Sequence, residues 1–354
     1  MAYPTVVMDL KVSRKLLPID TSWSTPQLLD ALLLALRGEG PALSTSKTNF
    51  AEVDNNVALV VTTSGSTGNP KSVAHSAQSL LAGARATHKF IGAKSGQRWS
   101  LLLPTSHIAG INVLIRSIEL GTTPVGMETE ADFTAIVPTQ LHRALTSDES
   151  LLNHLKACKK VLVGGGPLSA QLRSDAEAHD IKIVETYGAT ETCGGVIYDG
   201  EPLESVEVKL VEGKVAIKGA QLALSYLGQG PISVDGWFVT SDLGEMREGK
   251  LKIIRRVDDQ IISGGEKISL SAVDDFLQSE FNHPGIVSFS KVDAEWGERL
   301  CIATTKEFPV NMISGKLKER FGSHVSPKEI LSVKEIPYLS IGKPDRKRLA
   351  NDNS

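Results

Sequence analysis

Cysteine and aromatic residues are scarce in this chain of 354 residues, which has three cysteines and an aromatic fraction of 5%. Cys158, Cys193 and Cys301 are far apart and odd in number. They have no metal-site spacing, and they fit a protein of the reducing cytoplasm. The chain also lacks an internal repeat and a low-complexity tract, which excludes repeat architectures.

The chain also lacks long apolar runs and a large net charge of either sign. The most apolar stretch, LLDALLLALR at residues 28–37, contains Asp30 and is about half as long as a membrane span, so it predicts a helix buried on one side. A formal net charge of −3 gives no electrostatic reason to expect nucleic acid or an anionic membrane as a partner. No charged segment followed by an apolar one comes after Met1, so we expect no export signal and a cytoplasmic location.

Length and composition favour a globular protein of about two domains, with 41% apolar and 22% charged residues. From residue 57 to about residue 198, short apolar runs alternate with longer helical patterns, which predicts an α/β layered domain with largely parallel strands. The predicted strands are VALVVTT, RWSLLLP, FTAIVPT, KKVLVGG and IKIVETYG, and the predicted helices are SAQSLLAGARATHKFI, AGINVLIRSIELG and LSAQLRSDAEAHD. Glycine-rich segments at 64–68 and 164–166 each follow a predicted strand, so we expect both to line one site beyond the strand ends.

The pattern changes at residue 206, where short alternating strands begin. VEVKLVEGKVAIKG and LGEMREGKLKIIRR predict two hairpins with Glu-Gly turns. A charged junction, RRVDDQ at 255–260, then opens a smaller C-terminal part. We predict a large N-terminal domain at residues 1–256 and a small C-terminal domain at residues 257–354.

The segment TTSGSTGNPK at 62–71 has the composition of a polyanion-binding loop. Glycines let backbone N–H groups approach a ligand, hydroxyls donate to its oxygens, and Lys71 supplies charge. It is not a Walker loop, because Gly68 is followed by Asn-Pro-Lys rather than by Lys and a hydroxyl residue. When this segment is considered alone, a polar surface loop between a strand and a helix is the competing interpretation.

Five segments, in order, resemble motifs of one superfamily, the adenylate-forming enzymes, which include acyl-CoA synthetases, luciferases and peptide-synthetase adenylation domains. The segments are TTSGSTGNPK, ETYGATET, WFVTSDLGEM, RRVDDQIISGGEKIS and IGKPDRKRL. The resemblance implies a layered α/β N-terminal domain with a small mobile α+β C-terminal domain. It covers residue 57 to the C-terminus, and the N-terminal region is shorter than is usual, so we expect a compact form. Ser72 and Arg255 each replace a usual glycine, without loss of a functional group.

The resemblance implies an ATP site and assigns residues to it. The ATP-binding residues are Thr63, Ser64, Gly65, Ser66, Thr67, Gly68, Lys71, Gly165, Gly166, Pro167, Thr186, Tyr187, Gly188, Asp242 and Arg256. Thr190 would reach the α-phosphate, and Glu191 would ligate Mg²⁺, a hard cation that takes one or two carboxylates plus phosphate oxygens. Asp242 would accept hydrogen bonds from the ribose hydroxyls. The residues alone leave open a strand-end turn at 165–167, a turn at Asp242 and an exposed glutamate at Glu191.

The C-terminal part carries three further implied roles. Lys343 would be catalytic and would stabilise the negative charge shared by the acid and the α-phosphate, although its basic segment also resembles a solvated tail. Asp258 matches the hinge about which the small domain turns. Gly264 and Gly265 would line the coenzyme A tunnel, with a plain hairpin turn as the alternative.

Two segments bear on the acid substrate. LLPTSHIAGI has no aspartate for a substrate amine, and the chain ends soon after Lys343 with no carrier domain, so we expect a free acid and free coenzyme A. SHIAG and VPTQL are most similar to the branch of the superfamily that activates o-succinylbenzoate for menaquinone synthesis. The resemblance implies acid-binding roles for His107, Gly164, Cys193 and Gly194, although His107 could also only shape the pocket.

The implied activity is an ATP-dependent acid–CoA ligase with Mg²⁺ as cofactor and with a carboxylic acid, ATP and coenzyme A as small-molecule partners. We expect no nucleic-acid partner and no membrane insertion, and a homo-oligomer stays open. A ligase for another aromatic or medium-chain acid is the alternative. A catalytically inactive nucleotide-binding relative is disfavoured, because Lys71, Glu191, Asp242 and Lys343 are all present.

Overall fold

A computed structural model describes residues 13–63, 71–256, 260–263, 266–293, 297–339 and 342–351. The strands in these ranges are β1 (Ser13–Pro18), β2 (Ala42–Ser44), β3 (Glu52–Asp54), β4 (Val57–Thr63), β5 (Lys71–Ser76), β6 (Trp99–Ser100), β7 (Phe133–Ile136), β8 (Lys160–Val163), β9 (Ile183–Ala189), β10 (Gly194–Tyr198), β11 (Glu201–Pro202), β12 (Val206–Val211), β13 (Lys214–Gly219), β14 (Ser225–Tyr226), β15 (Gly230–Pro231), β16 (Phe238–Arg247), β17 (Lys250–Arg256), β18 (Gln260–Ser263), β19 (Glu266–Ser269), β20 (Ile286–Asp293), β21 (Gly297–Thr304) and β22 (Glu329–Ser332). The α-helices are α1 (Thr25–Arg37), α2 (Ala77–Ile91), α3 (Ile108–Glu119), α4 (Pro138–Thr146), α5 (Glu149–Ala157), α6 (Ala170–Ala178), α7 (Leu270–Glu280), α8 (Val310–Phe321) and α9 (Arg346–Asn351), and one turn of 3-10 helix spans Thr190–Thr192.

The strands up to residue 256 form three sheets. The first has the order β15-β14-β5-β4-β2-β1-β3, the second β11-β10-β9-β8-β7-β6, and the third β12-β13-β16-β17. In the second sheet β6 to β9 are parallel, as the alternating sequence pattern predicts. The first sheet is mixed: β1, β2 and β4 are parallel, whereas β5 is antiparallel to both β4 and β14. The prediction of largely parallel strands is therefore wrong for this sheet.

Helices α2 and α3 lie between the first two sheets, and their sequences explain why. Leu80 of α2 and Leu114 of α3 belong to the core that also holds Leu59 of β4. Val113 of α3 packs in a second core with Phe133 of β7. Because α3 is apolar on both sides, it is buried between two sheets rather than on one face. Helix α1 is buried on one side, as predicted, with its buried positions at Leu28, Leu29, Leu32, Ala35 and Leu36.

Two predicted strands are shorter than their apolar runs. FTAIVPT ends as a strand at Ile136, because Pro138 begins α4 at a helix position where a missing N–H costs nothing. RWSLLLP keeps only Trp99 and Ser100 as a strand. Strand β5 and helix α4 were not predicted, because their short or mixed patterns have no clear period.

The third sheet confirms both predicted hairpins. Glu212 and Gly213 turn β12 into β13 with φ of 52° and 77°, and Glu248 and Gly249 turn β16 into β17 with φ of 50° and 80°. Two consecutive positive φ values are typical of a type I′ turn, which matches the twist of the flanking strands.

The described residues from 260 onward form a fourth sheet, β19-β18-β21-β20, with β22 parallel to β21. Helices α7 and α8 supply residues to a core of this part alone, and α9 covers a second, smaller core on the other side. This arrangement agrees with the predicted α+β class of the C-terminal part. The predicted hinge Asp258 lies outside the described residues, and the boundary at 256/257 stays a prediction. Among the described helices, none has the length and apolar character needed to cross a membrane.

Candidate functional site

The flanks of the predicted phosphate loop lie side by side. Thr63 at the end of β4 pairs with Lys71 at the start of β5, and the Thr63 hydroxyl donates to the Lys71 carbonyl oxygen at 3.4 Å. The loop residues Ser64, Gly65, Ser66, Thr67 and Gly68 lie outside the described residues. A strand, not a helix, follows the loop. The element that follows the loop therefore differs from that of a Walker loop, which opens a helix.

Glu191 and Lys71 come from different parts of the chain and both contact one tyrosine, Tyr226. Glu191 is in the 3-10 turn between β9 and β10, and its Oε1 accepts a hydrogen bond of 2.8 Å from the Tyr226 hydroxyl. The Lys71 ammonium is 4.9 Å from the centre of the Tyr226 ring. Tyr226 was not predicted from the sequence, because it lies on a two-residue strand that has no pattern of its own.

The turn that carries Thr190 and Glu191 is held by the Thr192 hydroxyl and by a backbone hydrogen bond. The Thr192 Oγ1 accepts from the Ala189 N–H at 2.8 Å and donates to the Gly194 carbonyl at 2.7 Å. The Glu191 carbonyl accepts from the Ala223 N–H at 2.8 Å. These bonds leave the side chains of Thr190 and Glu191 partly exposed at the end of β9.

Asp242 is the centre of a second polar cluster, on the third sheet. It is 6% exposed, it pairs in register with Arg256, and its Oδ1 is 3.3 Å from the Arg256 Nη1. Its Oδ2 accepts a hydrogen bond of 2.6 Å from the Tyr187 hydroxyl on β9. Burial, and then Asp242, raise the pKa of Tyr187, so this hydroxyl stays protonated and remains a donor. The structure thus brings together the predicted residues Tyr187, Asp242 and Arg256.

Two of the predicted glycines are required by close backbone packing. A Cβ on Gly164 would overlap the Thr186 side chain, and a Cβ on Gly188 would overlap the Gly194 carbonyl. Gly165 and Gly166 follow β8 in a bend, and Gly165 has a φ of 81°. An adenine-binding role and a plain strand-end turn for 165–167 both stay predictions.

The predicted acid-binding residues lie around the start of α3. His107 is the N-cap residue of α3 and is half-buried, and burial lowers its pKa. Cys193 is buried, with its Sγ 3.1 Å from the Nδ1 of buried His75, so its thiol faces the core and only its backbone can meet a ligand. The Asn112 amide on α3 donates to the Cys193 carbonyl at 2.7 Å. Asn112 was not predicted from the sequence, because it is a single polar residue in a mostly apolar stretch of α3.

Lys343 lies on a short loop that is fixed at its base. The Leu339 N–H donates to the Lys343 carbonyl at 2.8 Å. Three residues further, Arg346 donates from Nε to the Ser288 carbonyl at 2.9 Å and pairs with buried Asp274 at 2.5 Å. This anchor fixes the loop on the C-terminal core.

The loop before Lys343 faces the N-terminal part of the chain. A cavity of about 230 Å³ separates the two parts, and Tyr338, Leu339 and Gly342 line it from the C-terminal side. Leu103, Pro104, Val137, Thr139 and Gln140 line it from the other side. The VPTQL segment is therefore next to the loop of the predicted catalytic lysine. The predicted tunnel residues Gly264 and Gly265 lie outside the described residues.

Buried His75 predicts a pH dependence of stability. Burial lowers its pKa from 6.5 to about 3, so the unfolded chain binds a proton below pH 6.5 that the folded chain excludes. The contribution of neutral His75 to the free energy of unfolding is complete above about pH 6.5. It is lost as the pH falls toward 3, at up to about 1.4 kcal/mol per pH unit. In His75→Leu, the free energy of unfolding should fall less steeply with decreasing pH, and the difference in slope should be about this value. Urea unfolding between about pH 7 and about pH 4.5 measures it. Exposed His179→Leu is the control, and parallel curves for His75→Leu and wild type would contradict the assignment.

Comparison with known proteins gives one family. The family model described as AMP-binding enzyme matches residues 6–227. The chain is 34% identical over 371 residues to a probable 2-succinylbenzoate–CoA ligase of Mycobacterium tuberculosis, covering 92% of this chain and 95% of the relative.

Two solved structures have the same fold. Escherichia coli MenE, with a phenylether-linked analogue of OSB-AMS bound, is 25% identical with a TM-score of 0.68, and the match covers 95% of this chain and 81% of that one. The o-succinylbenzoate coenzyme A synthetase of Bacillus subtilis, in complex with ATP and magnesium, is 21% identical with a TM-score of 0.73, covering 95% and 84%. These matches confirm the predicted adenylate-forming fold, and the chain belongs to the AMP-binding enzyme family.

Proposed function

We propose that this protein is an ATP-dependent acid–CoA ligase that converts o-succinylbenzoate, ATP and coenzyme A to o-succinylbenzoyl-CoA, AMP and pyrophosphate. The observation that carries the proposal is the similarity to the ligase of Mycobacterium tuberculosis along 92% of this chain. The two polar clusters support it, because one brings an ammonium and a carboxylate into contact with the same tyrosine and the other holds a buried carboxylate next to a tyrosine and an arginine.

The residues present fit a magnesium–nucleotide complex. Mg²⁺ in such sites takes one or two carboxylates and completes its shell with phosphate oxygens and water. Glu191 offers one carboxylate, and no cluster of three or more potential metal ligands exists among the described residues. A single carboxylate suits a cation that arrives with ATP. Bound there, Mg²⁺ would withdraw charge from the phosphate oxygens, while Thr63, Lys71 and the loop 64–68 would hold the β- and γ-phosphates.

The nucleoside would lie between the second and third sheets. Asp242 would accept hydrogen bonds from the ribose hydroxyls, with Arg256 and Tyr187 holding its carboxylate in place. Gly165, Gly166, Pro167, Thr186 and Gly188 would contact the adenine. Thr190, at the start of the 3-10 turn, would donate to the α-phosphate.

The reaction would proceed in two displacements. A carboxylate oxygen of the acid attacks the α-phosphorus, the bond to the bridging oxygen breaks, and pyrophosphate leaves. Lys343 would stabilise the charge that accumulates between the two anions. The thiolate of coenzyme A then attacks the carbonyl carbon of the acyl-adenylate, and AMP leaves. The second step would need the C-terminal part to turn about Asp258, so that coenzyme A could pass Gly264 and Gly265.

The acid would bind near the start of α3. The first N–H groups of a helix have no partner within the helix and favour an anion. His107 is the N-cap residue there and is half-buried. We infer that His107 binds the second carboxylate of the substrate, while Gly164, Gly194 and the Cys193 backbone form the wall near the reacting carboxylate.

Assays with a panel of carboxylic acids test which acid is the substrate. Pyrophosphate exchange and thioester formation should be fastest with o-succinylbenzoate, by kcat/KM, and much slower with benzoate or a medium-chain fatty acid. A second carboxylate that forms a charged hydrogen bond is worth about 1.5–3 kcal/mol, which is roughly 10- to 100-fold in kcat/KM. A higher kcat/KM with benzoate or the fatty acid would favour the alternative ligase.

Lys343 should act in one half-reaction only. Removing a preorganised charge-stabilising group costs about 10²–10³ in rate, so Lys343→Ala should slow adenylate formation by at least that factor. Attack of coenzyme A on chemically prepared acyl-adenylate should be nearly unchanged, and Lys343→Arg should rescue poorly because a planar guanidinium places its charge differently. Single-turnover measurements of each half-reaction check this.

Exposed Lys347 on α9 offers a matched control for the lysine experiment. Lys347→Ala removes the same charge four residues away and should change neither half-reaction. An equal loss of both half-reactions in Lys343→Ala would mean that the lysine is structural, and no loss in either would make the segment a basic tail.

A further inference from the structure

Tyr226 is held on both sides by backbone hydrogen bonds to the strands and turns of the candidate site. Its strand β14 pairs with β5 at Tyr226 and Val73, and the Leu227 N–H donates to the Ser72 carbonyl at 2.9 Å. The Ala223 N–H donates to the Glu191 carbonyl at 2.8 Å. A short segment thus connects the strand that begins with Lys71 to the turn that carries Glu191, with Tyr226 in the middle.

The Tyr226 side chain contacts both charged residues at once. Its hydroxyl donates to Glu191 Oε1 at 2.8 Å, and its ring lies 4.9 Å from the Lys71 ammonium. In this pair the phenol is the donor, because an ionised carboxylate can only accept. Between Lys71 and Glu191, both of which the structure describes, no direct ion pair forms.

Without the tyrosine, these two charges would have an obvious alternative partner. Lys71 and Glu191 are neighbours of the same ring, and opposite charges in a partly buried place attract each other strongly. A direct pair would neutralise the ammonium needed for phosphate and the carboxylate needed for a cation. The phenol gives each charge a separate partner: a cation–π contact for Lys71 and a hydrogen bond for Glu191.

We propose that Tyr226 is a positioning residue for the magnesium–nucleotide complex. Its hydroxyl fixes the Glu191 carboxylate through one oxygen and leaves the other for the cation, and its ring keeps the Lys71 ammonium apart from that carboxylate. Outer hydrogen bonds to metal-binding groups commonly change metal affinity about 10- to 100-fold. The proposal rests on the proposed function, since that function supplies the nucleotide.

Two substitutions separate the two contacts. Tyr226→Phe removes the hydroxyl and keeps the ring, and Tyr226→Leu removes both. The test measures binding of a non-hydrolysable ATP analogue by calorimetry at a series of Mg²⁺ concentrations and in chelator, so that it does not depend on turnover. Tyr226→Phe should raise the Mg²⁺ concentration at half-maximal binding about tenfold and leave binding in chelator unchanged. Tyr226→Leu should weaken binding under both conditions.

Tyr198→Phe is the matched control, because Tyr198 is a buried tyrosine whose hydroxyl bonds to Thr87 and Arg116 in the core. It should leave the Mg²⁺ dependence unchanged. A double-mutant cycle adds a second test. In a Glu191→Gln background, Tyr226→Phe should have no further effect on the Mg²⁺ dependence, because the carboxylate through which it acts is gone.

The outcomes separate this proposal from the proposed function. If the wild-type protein binds the analogue with Mg²⁺ and Tyr226→Phe binds it with the same Mg²⁺ dependence, only the proposed role of Tyr226 is overturned. Equal effects of Tyr226→Phe in the wild-type and Glu191→Gln backgrounds would also overturn it. Wild-type protein that binds no analogue at any Mg²⁺ concentration would overturn the proposed function and this inference with it.

Discussion

A buried hydrogen bond from Asn112 to the Cys193 carbonyl ties together the parts of the candidate site. Asn112 lies on α3, which is packed between two sheets and begins at His107. Cys193 directly follows the turn of Thr190 and Glu191. An amide that lost this partner would leave a buried polar group unsatisfied, which costs about 1–3 kcal/mol. The position of the start of α3, where we propose that the acid binds, and that of the turn that carries Glu191 are therefore coupled.

Contacts of the same kind connect the other sheets and fix the C-terminal loop that carries Lys343. Tyr226 links the first sheet to the Glu191 turn, and Tyr187 links the second sheet to Asp242 of the third. The Arg346–Asp274 pair holds the loop of Lys343 on its own core. Removing one partner of a buried ion pair leaves an uncompensated charge, so such a pair fixes geometry even where its net stabilisation is small. Charged residues of the site are thus held by neutral or oppositely charged partners, each from another element.

Much of the arrangement could be predicted from sequence because the motifs are local. The parallel strands β6 to β9, the two Glu-Gly hairpins and the nearness of Tyr187, Asp242 and Arg256 follow from pattern and resemblance. The mixed first sheet could not be predicted, since strand direction depends on pairing between distant segments. Tyr226, Asn112 and Asp274 were missed for a related reason: each is a single polar residue that matters only through its partner in space. The loop 64–68, the hinge and the glycine loop remain predictions.

The central claim is that the acid is activated by bonding one of its own oxygens to the α-phosphorus of ATP. The most direct measurement is the fate of ¹⁸O in turnover of carboxylate-labelled o-succinylbenzoate, followed by mass spectrometry of the nucleotide products. The account predicts AMP that carries one labelled oxygen and pyrophosphate that carries none, because the acyl–oxygen bond breaks when the thiol attacks. Unlabelled AMP, or label that appears in pyrophosphate or phosphate, would contradict an acyl-adenylate intermediate.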